Sequence, residues 1–456
     1  MELSQVPRAP AWLPLLGHVI PVLTRPMAFL ESLTALGGVV RIGLGPSRAC
    51  VVTDPALVHV LLVERAGDFD KGRIFDKTRP FLGNGLLTSA GSFHLRQRRL
   101  IQPMFRPDRI ACYADGMARH VGAMTAGWRP GARVELVEAL EELTLVIVAG
   151  ALLSTTPSHR VSAEMRQALR TVLRGVPART FLPDCWERLP TPGNRRFAAA
   201  VARLRGSLDE LIRSTPPAAE AGETLLSVLL DARAAEAEEA AGEADEQIRD
   251  ELVSLLAAGY ETTAGVLAAA LYEIDRHPAV RERLHAELDE VLGGAGTVAP
   301  VTSRHLPRLR RTHHVIAETL RLYTPGWLLT RRAVREVVLG GVRIPAGTQV
   351  FFSAKAIHRD PAVYPDPHAF DPDRWLERTA RDLPPGSCIP FGAGNRQCVG
   401  NTFASAEMAV VLASLCSRWR LTYESDAAPE VIHHAISRIS RLEMTVRPRG
   451  AVRWAV

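Results

Sequence analysis

The stretch FGAGNRQCVG, residues 391–400, brings two kinds of chemistry into one short loop. Gly392 and Gly394 have the spacing of a dinucleotide-binding fingerprint, but Gln397 stands where that fingerprint needs a third small residue. Cys398 comes next, and a cysteine thiolate is a nucleophile or a soft metal ligand that needs positive surroundings to stay ionised. Cys398 lies at the start of a predicted helix, where unpaired N–H groups favour negative charge. The loop is therefore either a seat for a thiolate or a turn that precedes a buried cysteine.

The residues around Cys398 suit a flat or bulky partner. Glycines at 392, 394 and 400 let the backbone approach such a group closely. Arg396 could pair with an anionic substituent of that group. A single axial thiolate among small residues, with one arginine nearby, is what a haem iron requires.

The whole pattern resembles the haem-binding signature of the haem-thiolate monooxygenases, the cytochrome P-450 superfamily. The matching positions are Phe391, Gly394, Arg396, Cys398, Gly400, Ala404 and Glu407. The resemblance implies that Cys398 is the axial ligand of a haem b iron. It also implies further haem contacts in this part of the chain, at Phe391, Gly392, Arg396, Gly400 and Ala404.

A long helix predicted for residues 245–276 carries AGYETT at 258–263. At 1.5 Å per residue it would be about 48 Å long, and its apolar middle should cross the core. An acid and a hydroxyl are costly there unless they are paired or used, and a threonine can bond back to the carbonyl one turn earlier. The segment resembles the family's oxygen-activation motif, which implies oxygen activation by Thr262, a proton relay through Glu261 and a haem contact at Ala258. The alternative is a threonine pair that only packs or caps.

Three other residues resemble the family's structural support for the haem pocket. Glu318 and Arg321 lie three positions apart and so share one face of a predicted helix. Taken alone, such a pair is a common surface ion pair of little energy. Beside the haem loop it matches the family's Glu-x-x-Arg element, and PHAFDPDRW at 367–375 matches the segment whose arginine, here Arg374, completes that network.

Haem propionates need basic partners, and the chain offers more of them. His94 and Arg98 lie one helical turn apart. Many members of the family carry tryptophan at the position of His94, but histidine can still donate a hydrogen bond. Arg331 and Arg332 point to opposite faces of a predicted strand, so only one can face the haem. The resemblance to the family, in the distance to the following IPAG turn, favours Arg331. The alternative for each of these residues is a solvated side chain.

The rest of the chain predicts a mainly α protein with small antiparallel β-sheets. Apolar residues recur at helical spacing from 56 to about 325, and residues 331–353 alternate as short strands around glycine turns. The proline-rich residues 1–26 are predicted to be extended, and 234–246 a surface connection. With no repeat and no long linker, residues 1–456 should form a single domain. The resemblance implies the prism-like, triangular cytochrome P-450 fold with its long central helix over the haem.

Composition narrows the possible partners and location. The net charge of +6 comes from short arginine clusters without a nucleic-acid motif, so nucleic-acid binding is not expected. Six scattered cysteines without metal-knuckle spacing indicate a reducing compartment. The apolar stretch at 11–23 is too short to span a bilayer and contains two prolines. We therefore expect a cytoplasmic monomer without a membrane span.

The resemblance implies O2 as co-substrate and electrons from NAD(P)H that arrive through a ferredoxin and a ferredoxin reductase. Stretches such as FGNGLLT and TPGWLLTRRAV resemble actinobacterial oxygenases of sesquiterpenes, the pentalenene type among them. A terpenoid is therefore the first expected substrate, ahead of a macrolide or other polyketide and of a fatty acid. The expected apolar pocket residues are Phe75, Phe81, Leu82, Leu86, Leu255, Trp327 and Leu328.

Two other classes of function stay open at this point. A haem-binding gas or redox sensor would share the cysteine loop, although it would have no need of an acid beside Thr262. An enzyme with a cysteine nucleophile or a dinucleotide cofactor would need a strand before the loop. Pro384, Pro385 and Pro390 stand there instead.

Overall fold

The computed structural model of the chain describes residues 1–14, 17–44, 47–153, 157–181, 184–214, 224–234, 241–293 and 300–449. Helices make up most of these residues. They are α1 (Val19–Thr24), α2 (Pro26–Ser32), α3 (Pro55–His59), α4 (Arg73–Leu82), α5 (Gly91–Ile101), α6 (Pro107–Thr125), α7 (Leu136–Leu153), α8 (His159–Phe181), α9 (Asp184–Arg188), α10 (Pro192–Arg213), α11 (Leu225–Ala234), α12 (Ala241–Arg276), α13 (Pro278–Leu292), α14 (Arg310–Leu322), α15 (Ala354–Ile357) and α16 (Asn401–Arg418).

The strands are short and form small sheets. They are β1 (Val39–Leu44), β2 (Ser47–Val52), β3 (Phe69–Asp70), β4 (Arg133–Glu135), β5 (Leu329–Ala333), β6 (Val337–Leu339), β7 (Val342–Ile344), β8 (Gln349–Phe352), β9 (Trp419–Thr422), β10 (Val431–His433), β11 (Ser437–Ile439) and β12 (Glu443–Pro448). One sheet has the order β1-β2-β8-β5-β3 and another β4-β12-β9, while β6–β7 and β10–β11 are two-stranded. The predicted mainly α class with small antiparallel sheets is confirmed, but β2 and β8 pair in parallel.

Helix α12 is the predicted central helix, and it begins at Ala241 rather than at 245. It is long and apolar enough to cross a membrane, yet 83% of its most apolar stretch is buried inside the protein. Gly259 lets α7 approach closely, because a Cβ at that position would lie 2.9 Å from a methyl group of Val148. The centre of α12 is therefore enclosed by protein.

Two predicted irregular segments are partly helical. The first 26 residues contain α1 and the start of α2, so the prediction of an extended segment was wrong there. Prolines misled that prediction, because Pro21 and Pro26 lie in the first turns of these helices, where a missing N–H costs little. Within 234–246, residues 235–240 lie outside the described residues, and the rest after them belongs to α12.

The predicted hairpins form where glycine allows them. Gly340 and Gly341 have φ values of 56° and 76°, which the two-residue turn between β6 and β7 requires. The strands β1 and β2 pair antiparallel, while residues 45–46 between them lie outside the described residues. The predicted helix after the cysteine loop is α16.

Candidate functional site

One cavity of about 530 Å³ lies between helices α4, α8, α12 and α16 and strand β5. Its wall is mostly apolar, and it collects residues that the sequence singles out from distant parts of the chain. The predicted site residues that line it are Phe75, Leu82, Leu255, Ala258, Glu261, Thr262, Trp327, Leu328, Arg331, Phe391, Gly392, Arg396, Cys398, Gly400 and Ala404.

The cysteine loop is shaped by glycine and closed by its own backbone. Gly392 and Gly394 have φ values of 71° and 69°, a region that L side chains rarely adopt. A Cβ on Gly394 would lie 2.0 Å from the carbonyl oxygen of Leu62, so only glycine fits at this approach. The N–H of Cys398 donates to the carbonyl of Phe391 at 2.9 Å. This geometry directs the cysteine towards the cavity that it lines.

The Cys398 thiol is accessible from the cavity but otherwise surrounded by protein. Burial raises its pKa, and the backbone of Gly400 and the charges of Arg98 and Lys71 offset only part of that rise. A bound metal cation would reverse this balance, because coordination deprotonates a thiol outright. Burial therefore disfavours a free thiolate nucleophile at Cys398, whereas a bound metal cation would stabilise the thiolate.

Cationic side chains face the cavity beside the cysteine loop. Lys71, Arg331 and Arg396 line it. Burial, with repulsion from neighbouring cations, lowers the pKa of Arg331 and of Arg396 to about 10 and that of Lys71 well below its usual range. Arg332 points the other way, and its Nε donates to Asp70 at 3.1 Å. Of the two neighbouring arginines, Arg331 is therefore the one that faces the cavity.

These groups fit a haem. Several desolvated cations in one place are costly unless anions lie between them, and two propionates would supply those anions. Among the residues that the structure describes, no three His, Cys, Asp or Glu side chains cluster to hold a metal ion. A metal bound by Cys398 would therefore take its other ligands from a prosthetic group, as iron does in a porphyrin.

His94 and Arg98, also predicted as propionate partners, do not line the cavity. Arg98 donates from Nη1 to the carbonyl of Gln397 at 2.6 Å and so holds the cysteine loop. His94 is buried, with Nδ1 3.4 Å from the hydroxyl of Ser89. Burial and neighbouring cations lower the pKa of His94 to about 3, so its imidazole is neutral. Neither residue is therefore among those that face the cavity.

The AGYETT segment, the predicted oxygen-activation motif, faces the same cavity from α12. The Thr262 hydroxyl donates to the carbonyl of Ala258 at 2.7 Å, which is the bond expected from the sequence. The Glu261 carboxylate accepts from Nε of Arg438 at 2.7 Å. Both side chains are almost fully buried, at 9% and 4% exposed. The predicted relay acid is thus held in a buried ion pair with strand β11.

A second acid reaches the cavity from α16. Glu407 is fully buried against Thr263, and burial raises its pKa well above the usual range. It therefore favours the neutral, protonated form. A neutral acid costs far less to bury than a carboxylate, which explains how this position tolerates glutamate without a cation.

The predicted structural network forms away from the cavity. Arg321 binds Glu318 with two donors, at 2.7 and 2.9 Å, and donates to the carbonyls of residues 358, 367 and 369. Arg374 Nε and Trp375 Nε1 also donate to Glu318, at 3.2 and 2.9 Å. Both members of the central pair are completely buried. The network ties the irregular segment before the cysteine loop to α14.

Two of the expected pocket residues lie elsewhere. Phe81 is in the core, with its ring edge-on to Phe197 at 5.0 Å between centroids. Leu86 is buried, and its N–H donates to Glu251 on α12. The apolar pattern predicted that these side chains are buried but could not show which face of each element meets the cavity.

Two groups escaped the sequence reasoning, Lys71 of the cavity wall and Arg438, the partner of Glu261. Lys71 had a signal, because the chain has only three lysines, Lys71, Lys77 and Lys355, among 55 lysines and arginines. A lysine in a chain that otherwise uses arginine marks a position where a compact charge is favoured. Arg438 had none, since it looks like any other arginine of a polar strand.

Comparison with known proteins identifies the family of this chain. The family model described as Cytochrome P450 matches residues 7–445. The chain is 43% identical to cyclooctat-9-en-7-ol 5-monooxygenase of Streptomyces melanosporofaciens, over 91% of this chain and 89% of that protein. It is 36% identical to pentalenene oxygenase of Streptomyces avermitilis, over 97% of this chain and 98% of that protein.

A solved structure shows the same fold. The crystal structure of the cytochrome P450DA heme domain matches with a TM-score of 0.83 and 26% identity, over 97% of this chain and 98% of that one. Haem b, O2 and electrons that come from NAD(P)H through redox partners are the family's requirements. The cysteine loop, the cationic cavity and the AGYETT helix therefore have one explanation: this chain belongs to the cytochrome P450 family and is a haem-thiolate monooxygenase.

Proposed function

We propose that this enzyme inserts one oxygen atom from O2 into a terpenoid, with a hydrocarbon or lightly oxidised sesquiterpene-like or larger cyclic skeleton as substrate. The observation that carries the proposal is the cavity, which joins Cys398 and Thr262 to a mostly apolar wall. Relatives that act on cyclooctat-9-en-7-ol and on pentalenene support the class of substrate. Burial of apolar skeleton against that wall would supply most of the binding energy.

The chain's residues would divide the work as follows. Haem b, when bound, supplies the oxygen chemistry. Cys398 would bind its iron, and Lys71, Arg331 and Arg396 would hold its propionates. Thr262 would present its hydroxyl to the cavity from α12, and Glu261 would deliver protons to that side of the cavity. The network around Arg321 would keep the cysteine loop in place without taking part in the chemistry.

We also propose a ferredoxin, served by a ferredoxin reductase, as electron donor to a monomeric, cytoplasmic enzyme whose residues 1–456 form a single domain. Arg96 and Arg99 are exposed on α5, next to Arg98, which touches the cysteine loop. A basic face there would steer an acidic partner. Electron transfer from an acidic 2Fe–2S ferredoxin should slow several-fold between low and high salt, and a rate independent of salt would contradict this docking face.

One experiment tests the central proposal. The purified protein, expressed with haem supply, should contain haem, and its reduced carbon monoxide complex should show the red-shifted band of thiolate ligation. Cys398→Ala should abolish that band while Cys112→Ala, at an exposed cysteine on α6, should keep it. Incubation with a panel of sesquiterpenes, diterpene alcohols, macrolides and fatty acids then identifies the substrate class. Turnover confined to macrolides or fatty acids would overturn the terpenoid assignment.

A further inference from the structure

The glycine-rich loop after α4, residues 83–88, is seated on the acid pair Asp250 and Glu251 of α12. The N–H of Asn84 donates to a carboxylate oxygen of Asp250 at 2.6 Å. The N–H of Leu86 donates to a carboxylate oxygen of Glu251 at 2.7 Å. Gln247 donates to the other oxygen of Glu251 at 2.8 Å. Two consecutive carboxylates on one helix therefore hold alternate N–H groups of one loop.

The loop has glycines where it meets this helix. A Cβ on Gly83 would lie 1.9 Å from a carboxylate oxygen of Asp250, and Gly83 has a φ of 76°. A Cβ on Gly85 would lie 2.4 Å from both the Asp250 carbonyl oxygen and the Ser254 hydroxyl. The GNGLLT sequence is thus shaped for close contact with α12, and not only for a turn.

The same loop and the residues on either side of it form part of the cavity wall and contact the cationic groups. Leu82 and Leu87, on either side of the seated residues, line the cavity. The Leu87 carbonyl accepts from Lys71, and the Ser89 carbonyl accepts from Arg396 at 2.7 Å. A shift of the loop would therefore move two wall residues.

Burial of the Glu251 side chain lowers the stability of the fold, so stability alone does not explain why an acid occupies this position. Its side chain is fully buried, no cation is among its partners in the described part of the chain, and burial raises its pKa to about 7. Asp250, beside it, is partly buried and its pKa is also raised by burial. A buried acid without a cation destabilises a fold, and groups of this kind concentrate at functional sites.

We propose that Asp250 and Glu251 are positioning residues that clamp the loop 83–88 to α12 and thereby set the place of Leu82 and Leu87 over the substrate. The clamp rests on the proposed function, since it acts on the wall of that same cavity. The clamp determines affinity and the carbon atom that is oxidised, while the cysteine loop and Thr262 are left unchanged. Neither acid touches the reacting atoms, so both act through the loop.

The test uses the haem-loaded enzyme and two probes that bind ferric haem, imidazole and 4-phenylimidazole. Imidazole is small and makes little contact with the cavity wall, whereas the phenyl ring of 4-phenylimidazole must pack against that wall. Glu251→Met removes the acceptor for Leu86 and should weaken 4-phenylimidazole about 5- to 20-fold, with imidazole nearly unchanged. Glu251→Gln keeps an acceptor oxygen and should bind both probes like the natural enzyme. Glu246→Gln, at an exposed position of the same helix, is the matched control.

Gly85→Ala gives a second arm that leaves every charge in place. Its Cβ would push the loop off α12, so it should shift the same ratio of affinities in the same direction as Glu251→Met. With a terpenoid substrate, both variants should change the ratio of oxidised positions, and Glu251→Gln should not. An unchanged probe ratio in both variants would overturn the clamp. If the reduced natural enzyme with carbon monoxide lacked the thiolate band, the proposed function itself would be overturned instead.

Discussion

The buried pair of Glu261 and Arg438 allows a sharp test of how the cavity holds a charged acid. Arg438→Met keeps much of the side-chain volume and removes the cation. Glu261 then loses its 2.7 Å partner while it remains 9% exposed. Glu141, whose carboxylate lies 3.8 Å from Arg438, keeps Arg170 as a partner at 2.6 Å. In the variant, Glu261 therefore loses its cationic partner, whereas Glu141 keeps one.

The magnitude follows from the geometry. With charge centres about 4 Å apart and an effective dielectric constant of about 20, the attraction is about 4 kcal/mol. Breaking a buried pair by removing one partner typically costs about 3–5 kcal/mol, because the remaining charge is desolvated without compensation. Arg438→Met should lower the free energy of unfolding by that amount. Glu261→Gln in the same background should restore part of it, since a neutral amide needs no cation.

Chemical denaturation of the haem-loaded single and double variants measures this coupling as a double-mutant cycle. We expect a coupling free energy of about 2–4 kcal/mol. Glu443→Gln is a suitable control, because that carboxylate pairs with Arg133 at 3.3 Å on the exposed surface. A coupling below about 0.5 kcal/mol, as in an exposed pair, would refute the argument that this acid is desolvated.

Three other perturbations have definite expected outcomes. Lys71→Met removes a proposed propionate partner, so haem should transfer to an acceptor protein about 10-fold faster or more. Lys77→Met, at a lysine paired with Glu187, should leave the transfer rate unchanged. Equal rates in the two variants would show that Lys71 does not contact the haem. Gly394→Ala should abolish the thiolate carbon monoxide band, because its Cβ would lie 2.0 Å from a backbone oxygen; an intact band would show that the loop can shift without cost. Burial raises the pKa of Glu251 from 4.5 to about 7, so the folded state holds a proton that the unfolded state has lost, and stability falls as pH rises through that window. Glu251→Gln should flatten this fall and raise the free energy of unfolding at pH 8 by up to about 3 kcal/mol, measured by urea titration from pH 4.5 to 8; a parallel pH profile would contradict it.

What could be predicted from the sequence depended on local patterns. The course of α12, the glycine-shaped cysteine loop and the Glu318–Arg321 pair are each fixed by residues a few positions apart. Side chains alternate between the two faces of β5, so only one of its two neighbouring arginines can face the cavity. Periodicity and backbone preference act over this range, so these features need no knowledge of the fold.

The rest could not be predicted, because it depends on contacts between distant segments. Arg438 meets Glu261 across 177 positions of sequence, and β2 pairs with β8 from almost the other end of the chain. The seat of the loop 83–88 on Asp250 and Glu251 is of the same kind. A glycine or an acid in the sequence marks a position with a special backbone or electrostatic requirement. Only the tertiary packing shows which residues that position contacts.

The guanidinium of Arg321 has a consequence for the segment before the cysteine loop. It donates to the carbonyls of residues 358, 367 and 369, which belong to a stretch with few regular elements. One buried side chain thus supplies hydrogen bonds to backbone carbonyls that regular secondary structure would otherwise satisfy. A protease needs several residues to detach together, so residues 358–375 should resist trypsin far longer than their irregular backbone suggests. In Arg321→Lys, which cannot form the same fork, this stretch should become an early site of cleavage.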